Sequence, residues 1–168
     1  RDLSDYQRIG RMGIHTLMID STNADEPGRS LSEKIVEKNL EDLFIKAEGR
    51  IIITLFSTLL TRIYEILKIA DRIGRKVAIT GRSMKENIEL AQNLGYIKPA
   101  KGLIIPIEEL NKYKDNKVMI FTTGSQGQTN SGLMKILTGE NRHIKIKQND
   151  MVIFSSSAVP GNERSIQN

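Results

Sequence analysis

Cysteine and tryptophan are absent from the 168 residues, histidine occurs twice and proline four times, and no apolar run approaches the roughly 20 residues that cross a bilayer. Without cysteine there are no disulfides and no thiolate metal sites, a composition suited to a reducing compartment. His15 and His143 are far apart and lack closely spaced partners, so a metal site made by this chain alone is not expected. With no spanning run and no charged-apolar-small opening, neither a membrane anchor nor a signal peptide is indicated, and no membrane partner is expected.

What remains is ordinary for one domain. Hydrophobic residues make up 39% of the chain, enough for a core without staples. The net charge is +5 and the pI about 9.5. A basic surface gains affinity for phosphates by releasing their counterions, so a nucleic-acid partner is compatible with this balance; a lysine-rich composition gives the same value without one. The chain opens on Arg1 rather than Met, and Arg164 to Asn168 enter a helix that is not completed, which leads us to expect a piece of a longer polypeptide.

Five short Ile/Val-rich runs each end in a small polar cluster. The runs are Thr16 to Ile19, Ile51 to Ile53, Val77 to Ile79, Val118 to Phe121 and Met151 to Phe154. The clusters are Asp20 to Asn23, Thr54 to Thr58, Thr80 to Ser83, Thr122 to Gln126 and Ser155 to Ser157. Continuous short apolar runs read as strands buried on both faces of a parallel sheet. Between them, helical spacing runs through Val36, Leu40, Leu43, Phe44 and Ala47, through Leu59, Leu60, Ile63, Leu67 and Ala70, and through Ile88, Ala91 and Leu94. Ser30 with Glu33 and Ser83 with Glu86 read as capping boxes. A short strand at Leu103 to Ile105, a helix opened by Pro106, a short helix through Leu133 to Leu137 and an edge strand at His143 to Lys147 complete the pattern. The expected fold is α/β, an open and mostly parallel sheet with helices on both faces and right-handed crossovers.

In such sheets ligands bind outside the carboxyl ends of the strands. Gly124, Ser125 and Gln126 follow a strand and precede a helix as phosphate loops do, but no Lys-Ser or Lys-Thr pair follows, so an NTPase or dinucleotide enzyme is poorly supported; a glycine turn of positive φ is the other reading. Arg82 follows a strand-ending glycine and adjoins Ser83 at a helix start, a pairing suited to phosphate, or it forms an ion pair with a loop carboxylate. Ser155, Ser156 and Ser157 add hydroxyls at another strand end. Asp20 either closes an Asx turn or orients a catalytic histidine.

Taken in order, Asp20-Ser-Thr-Asn-Ala24, Pro27-Gly28, Ser32-Glu33, Gly81-Arg-Ser-Met84, Gly95-Tyr96, Thr122-Thr-Gly-Ser-Gln-Gly127, Ser155-Ser156 and Pro160-Gly-Asn-Glu163 resemble the β-CASP region of ribonuclease J over nearly the whole chain. That family comprises cytoplasmic, metal-dependent ribonucleases of the metallo-β-lactamase superfamily, with endonuclease and 5′-to-3′ exonuclease activities that favour a 5′-monophosphate. The resemblance implies that residues 1–23 are a terminal strand segment adjoining an absent metallo-β-lactamase domain and residues 24–168 the β-CASP domain. It implies single-stranded RNA as partner, a homo-oligomeric parent, and zinc held by ligands outside this chain, leaving the fragment itself inactive. Asp20 corresponds to an acid that steers a downstream histidine, and Arg82, Ser83, Gly124, Ser125, Gln126 and Ser155 to Ser157 to a surface for the 5′-phosphate and adjoining backbone. The chain departs from the family at Thr54-Leu-Phe-Ser-Thr58, where Phe56 either stacks on a base or packs in the core, and at Gln128-Thr129. A phosphate- or nucleotide-binding regulatory module with no nuclease role is the alternative from another class.

Overall fold

The computed structural model describes residues 3–21, 24, 25, 27, 28 and 32–167. The chain divides into two compact units, Arg1–Leu31 and Ser32–Asn168. In the first unit, α1 (Ser4–Arg11) places Asp5 in its first turn and Arg8 and Arg11 in its last, the arrangement that complements the helix dipole. Leu3, Tyr6, Ile9 and Met12 recur at helical spacing yet are all exposed. The expected strand at Thr16 to Ile19 does not form, and Leu17, Met18 and Ile19 are 69%, 92% and 73% exposed. An apolar run can be a buried strand only where edges and faces are supplied to it, and the described residues of this unit supply none. Of the following Asp20 to Asn23 cluster, Thr22 and Asn23 lie outside the described residues, as does Ser30 of the first expected capping box.

The second unit holds α2 (Glu33–Lys46), β1 (Ile51–Thr54), α3 (Leu60–Arg72), β2 (Lys76–Ile79), α4 (Arg82–Asn93), β3 (Ile104–Ile105), β4 (Val118–Thr122), α5 (Gly132–Leu137), β5 (Met151–Phe154) and α6 (Glu163–Gln167). The segment opened by Pro106 is a 3-10 helix, Ile107–Lys112, rather than an α-helix. The five strands form one all-parallel sheet in the order β3-β2-β4-β1-β5.

Alternation along each strand sends side chains to two cores. Ile51, Ile53, Val77, Ile79, Met119, Phe121 and Ile153 face α2, α3 and α4 through Phe44, Ile63, Leu67, Met84 and Ile88. Ile52, Ala78, Val118 and Ile120 face the 3-10 helix and α5 through Ile107, Leu110, Leu133 and Ile136. The sheet therefore has helices on both faces, and Ile51, Ile52 and Ile53 are each wholly buried, contributing roughly 1.5 to 3 kcal/mol apiece.

His143 to Lys147 is not an edge strand. Its backbone is bonded by side chains instead: Asn141 Oδ1 accepts from His143 and Ile144, Asp150 Oδ2 accepts from Lys147, and Lys145 O accepts from Arg50. The alternation there reflects burial of Ile144 against the second core. Two buried arginines at the amino edge of the sheet hold the frame. Arg50 forms a two-pronged pair with Asp150, tying the start of β1 to the start of β5, with both side chains at most 5% exposed. Arg75 donates to the carbonyls of Gly49, Val118, Phe44 and Ala47, the last two at the carboxyl end of α2, where a cation complements the dipole. Burial lowers the pKa of Arg75 below the ordinary guanidinium value.

Candidate functional site

In an all-parallel sheet every strand ends at the same edge. Four of the five polar clusters therefore meet on one rim: Thr54 to Thr58 after β1, Thr80 to Ser83 after β2, Thr122 to Gln126 after β4 and Ser155 to Ser157 after β5. The helices that follow β1 and β2 pack on one face, whereas α5, which follows the central strand β4, packs on the other. Chain leaving neighbouring strands in opposite directions opens a crevice between them, so β4 has one on each side.

The crevice between β4 and β1 is a cavity of about 310 Å³ lined by Leu55, Phe56, Ser57, Ser83, Gly124, Ser125 and Ser131 among others. Phe56 stands in its wall, 39% exposed and outside both cores, while Leu55 takes the buried position. The core-packing reading of Phe56 therefore fails. The crevice between β4 and β2 is a cavity of about 570 Å³ that includes Thr80, Gly81, Arg82, Glu86, Lys135 and Asn141. Ser83, Thr123 and Asn130 belong to both.

The two helix starts on this rim differ. At α5 the amides are already used: Gly132 N donates to Thr123 Oγ1, Leu133 N to Thr123 O, and Met134 N to the N-cap Ser131 Oγ. The Gly124 loop is thus a turn, with φ 115 at Gly124, where an added Cβ would stand 2.4 Å from Ser131 Oγ. At α4 the N-cap is Gly81, with φ 92, not Ser83 as expected. Gly81 has no side chain to cap the helix, and the amides of Arg82, Ser83 and Met84 find no acceptor among the described residues. Arg82 is exposed and makes no ion pair there, so the ion-pair reading does not hold.

Gln126 and the serines are joined to one another. Gln126 is 3% exposed; its Nε2 donates to Ser156 Oγ at 3.2 Å and Ser157 O at 2.9 Å, and its Oε1 accepts from Val159 N at 2.8 Å and Asn162 Nδ2 at 3.4 Å. It ties the loop after β4 to the loop after β5. Ser156 Oγ also donates to Ser125 O, Ser155 is buried with its hydroxyl unsatisfied among the described residues, and Ser157 is exposed. Arg62 on α3 joins the same region by donating to Ser155 O at 2.7 Å while its other prongs hold Glu33. That guanidinium, with its hydrogen bonds first, keeps the Glu33 carboxyl below its ordinary pKa of 4.5. Glu33, the first residue of α2 after the N-cap Ser32, thus serves Arg62. Asp20 belongs to the first unit, where it is exposed and not at the end of a strand.

Sequence reasoning passed over Thr80, Lys135, Asn141 and Arg62. Only Thr80, inside a strand-end cluster, carried a local signal; the others reach the rim from helices and a loop on neighbouring elements. Among the described residues no three His, Asp or Glu side chains converge as metal ligands. No described helix is long and apolar enough to cross a membrane.

These features define a three-layer α/β domain with an all-parallel sheet and a polar, partly cationic rim at the carboxyl ends of its strands. Residues 48–168 match the family model described as ribonuclease J, beta-CASP domain. Relatives named Ribonuclease J are 42% identical over 98% of the chain in Helicobacter pylori (strain B128), 41% over 99% in Synechocystis sp. and 33% over 99% in Mycoplasma genitalium. The chain belongs to the ribonuclease J β-CASP family. It spans 24%, 26% and 29% of the length of these relatives.

Proposed function

We propose that the chain is the RNA-guiding, 5′-phosphate-recognising part of a ribonuclease J-like, metal-dependent endo- and 5′-to-3′ exoribonuclease that acts in RNA processing and decay. The hydrolytic groups belong to a metallo-β-lactamase domain elsewhere in a longer polypeptide, with zinc held there. The parent is cytoplasmic and homo-oligomeric, and Asp20 orients one of its histidines. The observation that carries the reading is the guanidinium of Arg82, without an ion-pair partner among the described residues, at the start of α4 and on the same rim as the serines after β5. A helix start with open amides and a planar cation suits phosphate oxygens, while a rim fixed by Arg62 and Gln126 holds a strand in one orientation. Phe56, in the adjoining crevice, offers a face to a base.

The test is Arg82→Ala in the parent enzyme, comparing 5′-monophosphorylated and 5′-hydroxyl RNA. A lost charge-assisted contact costs about 1.5 to 3 kcal/mol, so the preference should fall roughly 10- to 150-fold. An unchanged preference would remove Arg82 from this role. The chain alone should bind single-stranded RNA in a salt-dependent way without cutting it; robust cleavage by the chain alone would overturn the division of labour.

A further inference from the structure

The carboxyl ends of the strands carry the polar clusters, and their amino ends carry cations. Each strand is entered from a basic residue: Arg50 before β1, Lys76 at the first position of β2, Lys101 before β3, Lys117 before β4 and Lys147 before β5. Because the sheet is all parallel, these residues stand along one edge, opposite the rim and roughly 15 Å from it at the rise of a strand. Neighbouring strands lie about 4.8 Å apart, so from β3 to β5 the line is roughly 19 Å long.

Two of these cations are used within the fold. Arg50 is buried against Asp150, and Lys147 Nζ is 2.7 Å from Asp115 Oδ1. The same contacts hold other lysines in place. Arg50 donates to Lys145 O and Asp150 accepts from Lys147 N, which pins residues 145–147, and the Lys147–Asp115 pair ties that segment to the 3-10 turn Asp115–Lys117. Lys117 N donates to Lys114 O at 2.8 Å across that turn, and Lys76 Nζ donates to Gly102 O at 2.7 Å. Lys101, Lys114, Lys117 and Lys145 are exposed, and neither they nor Lys76 have a carboxylate partner among the described residues.

Helix dipoles do not account for this surplus. Lys46 and Arg72 lie in the last turns of α2 and α3, where a cation complements the dipole, but Lys101, Lys114 and Lys145 stand on connections that neither contain nor adjoin an α-helix. Two exposed carboxylates, Glu48 and Asp71, lie on the turn after α2 and on α3. Protein partners are anchored by aromatic and apolar side chains, and on residues 98–102, 113–117 and 145–149 the only exposed large apolar side chain is Ile146. A sugar–phosphate backbone is held by positive charge alone.

We propose that the amino edge of the sheet is a second RNA-binding surface, on which Lys76, Lys101, Lys114, Lys117 and Lys145 hold the sugar–phosphate backbone without reading sequence. From the preceding reading it takes RNA as the polyanion, and it uses none of the rim residues. A strand longer than the rim accommodates then has a second attachment on the same molecule, which raises its effective concentration at the rim.

The test is binding of a single-stranded oligouridylate of about 30 nucleotides to the chain at several salt concentrations. Two double variants of equal charge change are compared: Lys114→Gln with Lys145→Gln and, as control, Lys34→Gln with Lys38→Gln on α2. Losing two phosphate contacts should weaken binding roughly 10- to 25-fold at about 0.1 M salt and lower the slope of log K against log salt by about 1.4, while the control stays within about twofold. Equal behaviour of the two double variants would overturn the surface. So would displacement of the RNA by polyglutamate more readily than by unlabelled RNA, which would assign the edge to an acidic protein. Binding that is lost in Arg82→Ala and indifferent to Lys114→Gln with Lys145→Gln would sink the amino edge and leave the preceding reading standing; the reverse pattern would sink the role of the rim and leave the amino edge.

Discussion

Gln126 is the side chain whose replacement best separates holding the rim from binding a ligand. Truncation in Gln126→Ala removes four hydrogen bonds, of which those to Ser157 O at 2.9 Å and from Val159 N at 2.8 Å have good length. Each such bond contributes about 0.5 to 1.5 kcal/mol net, and the vacated space adds to the loss, so we expect destabilisation of about 2 to 3 kcal/mol in urea unfolding. Gln126→Glu refines the test. It preserves volume and the acceptor for Val159 N, but turns the donor facing Ser157 O into a second acceptor, so at neutral pH it should destabilise at least as much as alanine. Both variants should weaken RNA binding through displaced Ser156 and Ser157. Stability within about 0.5 kcal/mol of the parent, combined with a large fall in RNA affinity, would refute this reasoning and make Gln126 a direct ligand.

Asp150→Asn breaks a two-pronged buried pair and leaves Arg50 unpaired, and we expect a loss of about 3 to 5 kcal/mol in denaturant unfolding. Arg75→Met keeps the apolar stem but strips four carbonyls of their donor; with two short bonds to a charged group at stake, roughly 3 to 6 kcal/mol should be lost in the same assay. Glu33 has a folded pKa below its unfolded one, so its contribution is present above pH about 4.5 and is lost as pH falls through the folded value. Because Glu33 is 45% exposed, that contribution is under about 1 kcal/mol, and Glu33→Gln should remove this part of the acid dependence of thermal unfolding.

Much of the second unit was legible from local pattern. Runs such as Ile51 to Ile53 have no polar alternation because both faces of the sheet are covered, and the spacing of Ile63, Leu67 and Ala70 marks the buried side of α3. Since all such strands are parallel, their polar ends had to share an edge, which is why a rim could be anticipated without coordinates. Helix starts were read less well: Gly81 caps α4 because a positive φ, not a hydroxyl, was needed to turn the chain there.

The amino-acid order by itself determined which segments become buried strands and helices and that polar groups collect where strands end, because burial and backbone preference are imprinted at periods of two and 3.6 residues. Tertiary structure alone decided that β4 lies between β2 and β1, opening two crevices, and that Gln126 braces a loop about 30 residues away while Arg50 finds Asp150 across 100. It also decided against strands at Thr16 to Ile19 and His143 to Lys147. The physical reason is common to all of these. Periodicity records that a residue is sheltered, whereas a hydrogen-bond partner or a neighbouring strand is chosen among groups distant in sequence, by which of them the packed chain brings within about 3 Å.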